Sequence, residues 1–393
     1  MKRSHERGAS TLAMCLVLLG VLALGAAWAV RQLTTAQQVA ANDLRAAAAF
    51  EAAESGLAWA VAMLNGGAVD DACRPAIAAS VGVSGIVATI DFRARFLSIG
   101  PDGHYRPLAD ATADAPPNTT ANTTANATPG APTTGRTTSP LASPACSNAA
   151  PLRWRCQCGG DSAPGALEDT APRGDDALRP RFSIRFADAG GSGQLRLISR
   201  GCSDARQDCD TLSEGPAGLA ESAQQLALLS ALRLPPPSAR IEGPGSFLRV
   251  FGYPPARYRG QPAIARLRCA GDCTVPLAQA LARGRRLVWI DGDARLPQWP
   301  EAALDGTPLV LVVNGRLDMQ AGGHAQGVLY ARDGVAWHPP AGTAASLRGA
   351  IVTDGSVATG RSVELIHDAA VLYRIHRQMG SFLPVPGGWI PTR

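Results

Sequence analysis

Residues 11–30 read TLAMCLVLLGVLALGAAWAV, a run with no charge in it. As a helix rising about 1.5 Å per residue, a run of this length spans a bilayer. Ahead of it Lys2, Arg3 and Arg7 face one acid, Glu6, and a basic head of this kind holds an N-terminus in the cytoplasm. Everything beyond Arg31 is then expected outside, in an oxidising compartment. Cys15 reads as a small apolar residue of the membrane helix. Ala27-Trp28-Ala29 offers a small-x-small cleavage pattern, the mark of an ordinary secretory signal. Against that, the run exceeds the ~7–15-residue core of such signals, and helix-forming sequence follows it.

From Leu33 to Leu64 there is no proline and one glycine, and alanine, the best helix former, dominates. Ala46, Phe50, Ala53, Leu57, Val61 and Leu64 recur at spacings of three and four, which draws one apolar stripe. The stripe assigns packing to Phe50, Leu57, Val61 and Leu64, with Glu51 and Glu54 beside it. The two segments make one rod of about 80 Å, half in lipid and half packed on a folded domain.

HERGASTLAMCLVLLG (5–20) followed by NDLRAAAAFEAAESGLAWA (42–60) resembles the N-terminus of PilX-type minor pilins. In that family an Arg-Gly leader end, a membrane helix and a Phe-x-Ala-Ala-Glu segment come in this order. The resemblance covers residues 1–64 and extends more weakly to the closing VLYRIHRQMGSFLPVPGGWIPTR (371–393). It implies that a prepilin peptidase cuts after Gly8 and leaves Ala9 as the new, methylatable N-terminus. It also implies a place among other minor pilins on the assembly platform that starts or caps a type IV pilus, with incorporation in the pilus. Ala13 stands five residues after that cut, where major pilins carry a glutamate thought to pair with the amine of a neighbouring subunit. An unpaired carboxylate is costly in lipid, so its absence points to a minor or tip subunit. Ala9 departs from the family too, replacing the usual aromatic or methionine.

The net charge of +5 is spread along 393 residues, with no basic run interleaved with aromatics. Nucleic acid is therefore not expected as the primary ligand. Forty-two glycines and 30 prolines favour turns and β-structure outside the helix. Eight of nine cysteines lie beyond the membrane run, an even set that suits disulfides outside the cytoplasm. Cys202 with Cys209, and Cys269 with Cys273, are near enough to close local loops. Cys73, Cys146, Cys156 and Cys158 then have three possible pairings. A zinc site around Cys156 and Cys158 lacks a nearby histidine and the usual spacing, so no metal or cofactor is expected.

After a leader (1–8), membrane helix (9–31) and helical continuation (32–65), residues 66–108 and 152–215 read as a β-rich, pilin-like domain. GIVATIDFRARFLSIG (85–100) suggests a strand pair and RFSIRFADAGGSGQLRLISRG (181–201) a hairpin. Between them 109–151 is rich in Ala, Thr, Pro and Asn, too poor in apolar area to offset ordering entropy, and reads as a disordered insertion. Residues 216–237 read as a short amphipathic helix, over 217–232, and a Pro linker.

Within 238–380 the segments LVWIDGDARL (287–296), LVVNGRLDM (311–319), VLYARDGVAW (328–337) and AIVTDGSVAT (350–359) share a strand, an Asx-Gly or Asp-Gly corner and a second strand. The corner glycines are Gly292, Gly315, Gly334 and Gly355, each expected to supply a positive-φ turn. Repeats of about 20 residues that cannot bury their apolar face alone stack as a solenoid. The expectation is a short right-handed β-solenoid, with independent hairpins as the alternative and 381–393 as a tail. A charge-sealed end or a capping helix over 368–379 would stop further stacking.

Asp293, Asp318, Asp333 and Asp354 could line one face of such a solenoid, as glycoside hydrolysis requires. Their offsets from the corner glycines differ, however, and His324, His338, His367 and His376 show no metal-like spacing. No phosphate loop or nucleophile elbow occurs, so no catalytic residues are assigned and an enzyme is not expected. The fold class expected is α+β: a long pilin-like helix, then a β-rich periplasmic domain ending in the solenoid. The function expected is priming or capping of a type IV pilus from the bacterial inner membrane, single-pass, with the C-terminal domain periplasmic. The alternatives are a tip pseudopilin of a type II secretion system, and a secreted β-solenoid adhesin or carbohydrate-binding protein released after Ala29.

Overall fold

A computed structural model describes residues 6–75, 90–108, 143–150, 153–158, 179–204, 218–269 and 271–392. The architecture is α+β, a long apolar N-terminal helix followed by β-rich structure. One helix, α1 (Glu6–Leu64), runs 59 residues without a break, about 90 Å at the standard rise. It is long and apolar enough to cross a membrane.

Short elements follow α1: β1 (Ala68–Val69), β2 (Ile90–Asp91), α2 (Phe92–Phe96), β3 (Leu97–Ile99) and β4 (Tyr105–Pro107). The alternation expected across 85–100 is interrupted, because Asp91 caps Phe92–Phe96 as a single helical turn that drops Phe92 and Phe96 into the core. Next come β5 (Ala145–Ala150), β6 (Arg153–Gln157), β7 (Arg181–Asp188), β8 (Gln194–Cys202) and β9 (Leu219–Ser230). β7 and β8 form the antiparallel hairpin that the sequence suggests. The strand Ala145–Ala150 corrects the C-terminal limit of the expected insertion; residues 109–142 lie outside the described residues.

The helix expected over 217–232 is the strand β9. Its Ala, Leu and Gln favour helix locally, but β9 bonds along its length to β8 on one side and to a C-terminal strand on the other. Pairing on both edges outweighs the propensity. That partner, β21 (Gly380–Thr392), corrects the expectation of a tail. Gly380 stands opposite Ser230 and Thr392 opposite Glu221. The sheet order is β21-β9-β8-β7-β5-β6, so the chain's two ends build one antiparallel unit, and the polypeptide between Ser230 and Gly380 is inserted between two neighbouring strands.

The inserted unit comprises β10 (Arg240–Ile241), α3 (Ser246–Phe251), α4 (Pro255–Arg259), β11 (Ile264–Leu267), α5 (Thr274–Ala282), β12 (Leu287–Asp291), β13 (Ala294–Leu296), β14 (Leu309–Asn314), β15 (Arg316–Met319), β16 (Gly323–Ala331), β17 (Gly334–Trp337), β18 (Ala345–Thr353), β19 (Val357–Thr359), β20 (Val363–Ile366) and α6 (Ala369–Gln378). Two all-parallel sheets result, one ordered β10-β18-β16-β14-β12-β11 with β20 also on β18, the other β13-β15-β17-β19. The strands on either side of each Asx-Gly corner lie in different sheets, which overturns the hairpin alternative.

The larger sheet is buried on both faces. Ile290, Leu311, Leu329 and Ile351 pack toward the smaller sheet, while Trp289, Val312, Tyr330 and Val352 pack under α3, α4 and α6. Its strands accordingly read as continuous apolar runs, whereas β15 alternates exposed Arg316 and Asp318 with buried Leu317 and Met319. Each fully buried Leu, Val or Ile contributes about 1.5–3 kcal/mol. The helix over 369–378 does not close an end of these sheets, as a capping helix would. Val371, Leu372 and Ile375 seat it across the sheet's outer face.

Candidate assembly interface

Among the described residues nothing covers the first half of α1. Leu12, Leu16, Leu18, Leu22 and Trp28 are exposed. Each such side chain left in water forgoes about 1.5–3 kcal/mol of burial. The second half is built for contact. Ala49, Ala52, Ala53, Gly56 and Ala60 face β8 and β9. Strand β8 answers with Gly201, where a Cβ would run into the backbone of Ala49 and Ala53. Small residues on both sides let the helix backbone lie almost on the sheet.

This close approach rotates the buried stripe from the expected one. Leu57 and Leu64 are buried and Val61 packs partly against the same core, but Phe50 is 42% exposed. A phenyl ring has no room where Gly201 touches Ala49 and Ala53, so alanines take that face. Glu51 is exposed, while Glu54 accepts a hydrogen bond from Trp389 Nε1 at 3.0 Å. Trp389, itself 43% exposed, and Phe50, one turn from Glu54, leave an apolar edge beside the helix. Gly8 and Ala9 lie in the first turns of α1; side chains there, and residues 1–5, are outside the described residues.

The end of α1 has no basic residue in its last turn, so its orphan carbonyls must be satisfied from elsewhere. Arg93 Nε donates to Leu64 O at 2.6 Å, and Arg285 donates to Asn65 O and, at 3.0 Å, to Gly66 O. Arg93 also reaches Gln378 O and Gly380 O. One guanidinium thus ties α1, α6 and β21 together at the junction of the two units.

Cys73 bonds Cys158 and Cys146 bonds Cys156, so the neighbours Cys156 and Cys158 serve different bridges. Cys269 bonds Cys273. Cys202 is disulfide-bonded, and Cys209 lies outside the described residues. The Cys269–Cys273 loop lies along β13, where Cys273 N donates to Arg295 O and Arg295 N to Gly271 O.

Of the four corner glycines, Gly292 and Gly334 adopt positive φ, at 87° and 121°. Gly315 and Gly355 do not. A Cβ at Gly355 would meet the Asp333 backbone at 2.8 Å, and one at Gly315 would meet Gly292 and Asp293. Glycine is needed at these two for stacking room, not for a left-handed turn.

The four carboxylates considered for catalysis each have a structural partner. Asp293 accepts from Arg316 N at 2.8 Å, Asp318 pairs with Arg316, Asp333 with Arg332, and Asp354 accepts from Tyr330 Oη at 2.9 Å. Burial, and then Asp354, hold the Tyr330 hydroxyl above its ordinary pKa. His324 contacts Ser346, His367 the Pro236 carbonyl and His376 the Leu232 carbonyl. Among the described residues no group of three His, Cys, Asp or Glu is placed to hold a metal ion.

At the far end of the smaller sheet, Glu242 accepts from Val357 N at 2.7 Å and Arg240 donates to Val357 O at 2.8 Å, while the two side chains pair with each other. This ion pair satisfies the outward N–H and C=O of Val357, the first residue of β19. Asn65, Arg93, Arg285, Arg240, Glu242 and Trp389 carry these contacts, and no periodicity or motif marks any of them. No family model, curated protein or solved structure matches this chain.

Proposed function

We propose that the chain is a minor-pilin-like subunit of type IV pilus assembly that primes or caps the fibre through protein–protein contacts. The observation that carries this is the division of α1: one unbroken helix, bare and apolar in its first half, locked by small residues onto an antiparallel sheet in its second. A helix of that kind can lie in the inner membrane before assembly and enter a helical bundle afterwards, with no hinge between. The basic head supports a periplasmic location for the folded part, and its disulfides suit such an oxidising compartment. Cleavage after Gly8 by a prepilin peptidase would release Ala9, and Ala13 in place of a glutamate suits a subunit with nothing ahead of it.

The inserted unit we read as a short β-solenoid that extends the contact surface. Supporting this, paired residues of the larger sheet step by 23, 23, 18 and 22 positions, and those of the smaller by 23, 18 and 22. Matching steps in two sheets are what successive coils produce.

Deletion in the native host tests the proposal. Loss of surface pili, restored by the full-length chain, is the expected result. Intact pili with blocked export of secreted enzymes would instead assign the subunit to a type II secretion system. If neither process changes, the assembly function is wrong.

A further inference from the structure

Between the antiparallel unit and the inserted unit lies a cleft of about 300 Å³. Leu64, Asn65 and Tyr105 line it from the first unit, and Leu287, Thr307 and Met379 from the second. Four arginines line it, Arg93, Arg285, Arg286 and Arg374, against one lining acid, Asp91. Arg286 is paired with Asp305 at 2.5 Å. Among the described residues, Arg93, Arg285 and Arg374 make no ion pair. Their donors go to neutral groups: Arg93 to the Leu64, Gln378 and Gly380 carbonyls, Arg285 to those of Asn65, Gly66 and Pro262, and Arg374 to Gly306 O and the Gln326 side chain, each at 3.1 Å.

The charges do not cancel. Two carboxylates and two helix C-termini, each worth about half a negative charge, leave about one positive charge uncompensated. Burial, and then the charge of Arg93, push the Arg285 pKa below its ordinary value. A half-enclosed cleft between two packed units, apolar in part and with convergent polar groups, is also where ligand sites are commonly found.

We infer that this cleft binds a small oxyanion, a phosphate or a carboxylate-bearing molecule, held by Arg285 and Arg374 with Arg93 behind them. The ligand spans both units, so its binding stiffens their junction. Nε and Nη1 of Arg374 carry no hydrogen bond among the described residues, and such a guanidinium edge bonds two oxygens at once, while Arg285 and Arg93, whose Nη groups are held by carbonyls, contribute charge. This inference does not depend on the assembly function.

Isothermal titration of the full-length chain in detergent tests it, with inorganic phosphate and glutarate as separate probes against chloride at matched ionic strength. Saturable binding of at least one probe is expected, and which one binds tells phosphate from carboxylate. Arg374→Gln, at an exposed position outside the capping contacts, should weaken binding about tenfold, while Arg374→Lys, which keeps the charge, should lose less. Absence of binding by both probes overturns the inference. So does a folded Arg374→Gln chain that binds as the parent does.

Discussion

Asn65 and Phe382 hold each other across 317 positions of chain: the Asn65 side chain accepts from Phe382 N and donates to Phe382 O, both at 2.9 Å. A further bond from Asn65 Nδ2 reaches Val61 O at 2.8 Å. The first residue past α1 is thereby fixed to the strand that returns from the inserted unit. Asn65→Ala leaves these buried backbone groups unpaired, at about 1 kcal/mol for each bond lost. Denaturant unfolding should show a loss of about 2–3 kcal/mol, and Asn65→Asp should lose at least as much, because a carboxylate oxygen would then face the Val61 and Phe382 carbonyls in a buried site.

Gly201 against Ala49 and Ala53 sets how closely α1 approaches the sheet. Gly201→Val forces the helix off β8 and should cost about 1–3 kcal/mol or more, read as a lowered Tm and faster proteolysis near Ala49. Gly20 and Gly25 have nothing within 4 Å. Gly20→Ala and Gly25→Ala should leave the Tm unchanged or raise it, since alanine is favoured over glycine in a helix by about 1 kcal/mol.

The Arg240–Glu242 pair occupies the backbone edge of β19 at Val357. An open strand edge is a template for pairing with another chain. Replacing both residues by alanine should produce concentration-dependent self-association in sedimentation velocity. A monomer distribution equal to that of the parent would show that the edge needs no seal.

The disulfides should differ in weight. Cys73–Cys158 spans 85 residues and Cys269–Cys273 spans 4. On loop-closure entropy alone, serine replacement of the first pair should cost about 4–5 kcal/mol and of the second about 2 kcal/mol. Parallel denaturation curves of the two double variants compare them.

The helix and the repeats were legible because each writes a period into the sequence. The uncharged run and the alanine stripe mark α1, and the recurring Asx-Gly corners mark where strands pass from one parallel sheet to the other. What stayed hidden is long-range. Leu219–Ser230 looks helical because its strand character comes from two partners, one of them 150 positions downstream at Gly380. Residues 381–393 carry Pro384, Pro386 and Pro391, and prolines are tolerated on an edge strand, which is where β21 lies. Spacing alone puts Phe50 on the packed face of α1, because it does not say that the sheet beneath offers Gly201. The arginines of the junction act on backbone carbonyls, and those contacts leave no sequence pattern.

The mass of the mature N-terminus tests most directly whether α1 is a processed assembly helix. Mass spectrometry of the chain purified from native membranes should find Ala9 first, free or methylated. A chain beginning at Val30, or one still carrying Met1, would contradict it.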